Sequence, residues 1–171
     1  MVHSECESET FLNTSVGSDL ESSSRLSGVG MNAERPEIVA RRFISAVSWG
    51  EHLTVWTLLS ERGRSSTLEV AVKGGLDRLV AQRIGTGSAL PVELEAFLGS
   101  LVHGLRADFE NLDIDRLVVT ETDLVMDSSA LLDVVTPAFT HDKTWPVGQF
   151  QMVFRDGQWT VESFRPHRTL S

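Results

Sequence analysis

From residue 36 onward the apolar positions follow two periods: three to four residues as far as Phe109, and two residues beyond it. These are the spacings of an amphipathic helix and of a half-buried strand. Pro36 opens the first helical stripe, with Val39, Phe43, Ala46 and Val47 on one face, and Trp49-Gly50 interrupts it. His52, Val55, Trp56 and Leu59 fall at i, i+3, i+4 and i+7, predicting a second helix that ends around Ser60–Arg64 with Gly63 as its stop. Leu68, Val72, Leu76 and Leu79 make a third stripe. Gly74-Gly75 in its middle costs roughly 1 kcal/mol per glycine relative to alanine, so it is the weakest of the helices. IGTGSALP reads as a loop. Pro91 then opens a long helix on Leu94, Leu98, Leu101 and Leu105, broadened by Phe97, Val102 and Phe109, with His103 on the opposite, solvated side.

After Asn111 the segments LDIDRLVVT, DLVMD and ALLDVVT read as strands separated by acidic or serine-rich turns. VGQFQMVFR-DG-QWTVESF predicts a hairpin. Phe150, Met152 and Phe154 alternate with Gln149, Gln151 and Val153, and Asp156-Gly157 supplies the positive-φ pair of a type I′ turn. Trp159, Val161 and Ser163 alternate on the return. Helices followed by an antiparallel sheet define an α+β domain over residues 34–168. Residues 1–33, rich in Ser, Glu and Gly with no sustained period, bury too little apolar area to offset chain entropy and are expected to form a disordered acidic tail.

The segments VARRFISAVSWGEHLTVWTLLSERGR and FQMVFRDGQWTVESFRP resemble the opening helices and the closing hairpin of the nuclear transport factor 2-like superfamily, which includes ketosteroid isomerase and polyketide cyclase relatives. The resemblance spans roughly residues 36–165 and is carried by packing residues at its two ends; the stretch from Leu68 to Phe109 is longer than the simplest members need. It implies a cone-shaped fold, a curved antiparallel sheet wrapped over helices, with a pocket between them and frequently a homodimer. Members include isomerases, dehydratases, hydrolases, transport adaptors and non-catalytic domains, so fold leaves function open.

Composition sharpens this. The chain has 171 residues, eight Phe, four Trp and no Tyr. Ketosteroid isomerase chemistry uses a tyrosine hydroxyl beside a protonated carboxylic acid as its oxyanion hole, one of the standard systems of pKa tuning. That donor is missing here, and tyrosine-dependent dehydratase sites are disfavoured for the same reason. The net charge of −9, with 24 acids against 15 bases, repels phosphate backbones and anionic lipid, so neither nucleic acid nor a membrane surface is an expected partner. Cys6 is the only cysteine, which excludes an intrachain disulfide and a cysteine nucleophile in the domain. With no apolar run near the length of a membrane span and no basic-then-apolar leader, a cytoplasmic location is expected.

Asp133, inside LLDVVT, is the leading candidate for proton transfer. If its face of the strand lines the cone, desolvation raises its pKa toward neutrality; if that face is solvated, Asp133 is a structural hydrogen-bond acceptor. His52, on the stripe of Val55 and Trp56, is a candidate base or hydrogen-bond donor, or an edge-of-core histidine. Trp56, Phe150, Met152 and Trp159 are candidate ligand contacts, with core packing as the alternative for each. Asp113, Asp115 and Arg116 combine with Asp133 into an Asp–Arg–Asp relay only if all face one site. No histidine or cysteine spacing fits a metal, and IGTGSA lacks the strand and the later glycine of a phosphate cradle, so neither a metal nor another cofactor is expected.

Three functions follow from this pattern. The first is a non-catalytic small-molecule-binding or accessory domain taking a hydrophobic ligand in an apolar pocket. The second is a cofactor-independent isomerase, dehydratase or hydrolase using Asp133 and His52. The third is a protein-interaction adaptor that uses the outer sheet face. An enclosed cavity of roughly 300 Å³ or more holding Asp133 and His52 favours the two pocket readings; a cone filled by Phe and Trp side chains defeats them and leaves the adaptor reading in the lead.

Overall fold

A computed structural model describes residues 34–109, 113–126, 128–137 and 144–167. The expected tail over 1–33 lies outside these. Among the described residues, five helices precede four strands, and the strands form one open antiparallel sheet in the order β1-β2-β3-β4. The fold class is α+β.

Helix α1, Pro36–Trp49, forms where the first stripe predicts it and ends at Gly50, whose φ of 74° closes the last turn with Gly50 N–H to Val47 O and Glu51 N–H to Ala46 O. Helix α2, His52–Leu58, is shorter than expected, because Ser60 begins a new helix instead of ending the old one. Ser60 caps α3, Glu61–Lys73, its hydroxyl accepting from Gly63 N–H at 2.9 Å. Gly63 is therefore not a stop but lies in the first turn of α3. A Cβ there would sit 2.9 Å from the carbonyl oxygens of both Val161 and Glu162, so glycine is what lets the helix reach the sheet edge.

The third predicted stripe is two helices. Gly75 at φ 109° turns the chain, and Asp77 caps α4, Arg78–Gly85, by accepting from Leu79 and Val80 N–H. Ile84 and Gly85, expected in a loop, belong to α4. Helix α5, Pro91–Asp108, runs as predicted, and His103 is exposed.

In the second half, the expected strand LDIDRLVVT is extended only from Val118, after a 3-10 turn at Ile114–Arg116, and it continues into the expected strand DLVMD as one strand, β1, Val118–Met126. β2 is Ser129–Pro137, β3 Thr144–Arg155 and β4 Gln158–Pro166. The β3–β4 hairpin turns at Asp156 (φ 51°) and Gly157 (φ 80°), as its Asp-Gly pair requires. Within the β3–β4 ladder the register shifts once. Met152 pairs with Val161 but Gln151 pairs with Ser163, so Glu162 is an extra residue in β4. This β-bulge reverses the phase of the strand, turning Phe164 rather than Ser163 toward the helices.

One face of the sheet carries Ala130, Leu132, Val134, Phe150, Met152, Trp159 and Val161 into a core shared with Val39, Phe43, Val47 and Val55 of α1 and α2. Phe43 meets Phe150 edge-on at 5.7 Å, and Phe150, Phe164 and Phe109 follow one another at 4.6 and 4.9 Å between centroids. A smaller cluster of Leu68, Ala81, Ile84, Phe97 and Leu98 joins α3, α4 and α5, and Trp56 and Leu101 pack against both clusters. Among the described residues no helix is long and apolar enough to cross a membrane.

Candidate functional site

Burial along β2 alternates with Ala130, Leu132 and Val134 inward, so Asp133 points away from the helices. It is half-buried on the outer sheet face, where Oδ1 accepts from Gln149 Nε2 at 3.0 Å across the β2–β3 ladder. His52 is half-buried at the first residue of α2, on the helical side. The sheet therefore stands between the two candidate proton-transfer groups, and no shared site brings them together.

Phe150 and Met152 are 0 % exposed and Trp159 7 % exposed. All three fill the space between sheet and helices in which a cone pocket is expected, Trp159 with Phe154 at 5.2 Å. Trp56 is placed differently. It is half-buried between the two clusters, edge-on to Phe97 at 5.5 Å, with Arg64 over its ring at 5.5 Å and Arg64 Nε donating to its own carbonyl at 2.9 Å.

Among the described residues, the helices border two concavities that open to solvent. A cleft of about 420 Å³ lies where α1 meets the start of β1, lined by Arg41, Ser45 and Ser48 on the helix, by Asp113 before the 3-10 turn and by Asp115 within it. These two acids thus share a cleft with Arg41 but not with Asp133, which faces away from the helices.

The larger opening, about 670 Å³, is a groove between α3, α4 and α5. Val70 and Ala71 of α3, Leu76 and Val80 around α4, and Phe97, Leu101 and Leu105 of α5 form its walls. Ala96, Ser100 and Gly104, at i, i+4 and i+8, keep one flank of α5 low. Phe97 belongs both to this wall and to the contact with Trp56, so Trp56 sits directly behind the groove.

Among the described residues, the polar side chains of the groove are already engaged, with one exception. Thr67 donates to Gly63 O at 2.8 Å and Ser100 to Ala96 O at 3.0 Å, each to its own helix backbone. Glu93 accepts from Arg83 through both oxygens, Nε at 3.1 Å and Nη2, and from Leu90 N–H at 3.0 Å. The hydrogen bond from Arg83, and secondarily that from Leu90, hold the Glu93 carboxyl below its ordinary value, while the Arg83 pKa is raised. The exception is Asp108 at the far end of α5.

Sequence reasoning read the stripes on α3 and α5 as core and so missed the groove. The signal was present: Leu94, Phe97, Leu98, Leu101, Val102 and Leu105 cover more of the helix than one packing face can bury. Among the described residues no group of three His, Cys, Asp or Glu is placed to hold a metal ion. Comparisons with known proteins gave no match, whether to a protein-family model, a curated protein or a solved structure.

Proposed function

We propose that this protein is a non-catalytic binding module that takes up a small apolar molecule in the groove between α3, α4 and α5. The observation that carries this reading is the groove itself: roughly 300–1,000 Å³ is the usual size of ligand pockets with apolar walls and few polar groups, and 670 Å³ falls within it. Catalysis is not favoured there, because both hydroxyls donate to backbone carbonyls and Glu93 is saturated by Arg83 and Leu90. Among the described residues of the groove no nucleophile is paired to a base. The succession of helices and a meander closing on a tight hairpin also supports reading the domain as a relative of the nuclear transport factor 2-like superfamily. The ligand site then lies on the outside of the helical layer and not inside a cone.

The test is a thermal-shift and fluorescence titration with small aryl-alkyl compounds. Ligands should raise the melting temperature and change the emission of Trp56, a change lost in Trp56→Phe. Ser100→Trp, at an exposed position of α5 lining the groove, should block binding while leaving the melting temperature of the free protein near wild type. Binding that survives Ser100→Trp, or no stabilisation by any compound, would overturn the assignment.

A further inference from the structure

We infer that the ligand is an elongated apolar amine whose ammonium group is held by Asp108, an assignment that rests on the binding reading above and names the class of molecule. Among the described residues, Glu93 and Asp108 are the only charged side chains lining the groove, and no cation lines it. They are fifteen residues apart on α5, about 22 Å at the helical rise, so they mark its two ends. Glu93 is neutralised by Arg83. Asp108 is half-buried, and none of the described residues hydrogen-bonds or ion-pairs with it.

Its position sharpens the point. Asp108 is the last residue of an eighteen-residue helix, where the unsatisfied carbonyls carry a partial negative charge that favours cations and opposes a carboxylate. The basic residue of that last turn, Arg106, gives no relief. Its Nε donates to Val47 O at 2.9 Å and its Nη2 to Ser48 O, so it closes the end of α1 instead. Two negative features thus coincide at one end of an apolar groove, without a counter-charge among the described residues. An anionic amphiphile would be repelled there, and a neutral one would desolvate Asp108 without compensation. An alkylammonium, protonated near neutral pH as a lysine is, satisfies the carboxylate while its apolar body lies along Leu105, Leu101 and Phe97.

The experiment compares 4-phenylbutylamine, 4-phenylbutan-1-ol and 4-phenylbutyrate by calorimetric titration of the full chain. The amine should bind about tenfold more tightly than the alcohol, the worth of one charge-assisted hydrogen bond, and the acid more weakly than either. Asp108→Asn should bring amine and alcohol to equal affinity, and Asp108→Glu should retain the amine's advantage. Equal binding of amine and alcohol to the wild type, or an amine preference that survives Asp108→Asn, overturns the assignment to amines while alcohol binding blocked by Ser100→Trp still upholds the groove as a ligand site. If none of the three binds, both the groove reading and the amine assignment fall.

Discussion

Gly63 and Gly99 are both helical glycines, yet a methyl group would act on them in opposite directions. At Gly63 the new Cβ meets two backbone carbonyl oxygens of β4 at 2.9 Å, and backbone cannot swing aside as a flexible side chain could. At Gly99 nothing lies within 4 Å. Gly63→Ala is therefore expected to lower stability by roughly 1–3 kcal/mol through overpacking, and Gly99→Ala to raise it by about 0.5–1 kcal/mol through reduced chain entropy. Urea unfolding of the two variants measures both; a stabilised Gly63→Ala would show that α3 does not touch β4 as described. From the sequence, Gly63 looks like a helix stop because it follows an apolar run. Its actual role depends on a strand about a hundred residues later, which no local pattern contains.

At the scale of elements, α4 and α5 are joined at the groove by Arg83 and Glu93. The Glu93 carboxyl is held below its ordinary value, first by the Arg83 hydrogen bond and then by Leu90 N–H. A depressed folded-state pKa contributes stability above the unfolded value and loses it as pH falls through the folded one. The difference in urea midpoint between wild type and Glu93→Gln should thus be present near neutral pH and close as the pH falls through and below the ordinary carboxylate range. A constant difference across that range would rule out the ion pair as its source. Element types were largely legible in the sequence: Pro36 and Pro91 open α1 and α5, and Asp156-Gly157 turns the last hairpin. The split at Gly74-Gly75 appeared only as a weakness in one stripe. The bulge at Glu162 was invisible, because register belongs to the pair of strands and not to either alone.

For the whole molecule, the decisive fact is which side of the sheet each residue faces. His52 and Asp133 lie on opposite sides, so a double-mutant cycle of His52→Ala and Asp133→Asn should be additive to within about 0.5 kcal/mol in stability; a larger coupling would mean that the two groups meet. Phe150, fully buried between Phe43 and Phe164, should cost about 3–5 kcal/mol on truncation to Ala. A loss below 1 kcal/mol would point to an unfilled interior.

The sequence alone determined that helices precede an antiparallel sheet, that the hairpin turns at Asp156-Gly157, and that no tyrosine hydroxyl can take part in any chemistry here. Those are properties of neighbouring residues and of composition. Tertiary structure decided that Phe150, Met152 and Trp159 fill the interior, that Asp133 turns outward to Gln149, and that the apolar surplus of α3 and α5 meets across a groove ending at Asp108. Periodicity tells a side chain which neighbours share its face, but not what lies opposite that face, and a pocket is made by the opposite wall.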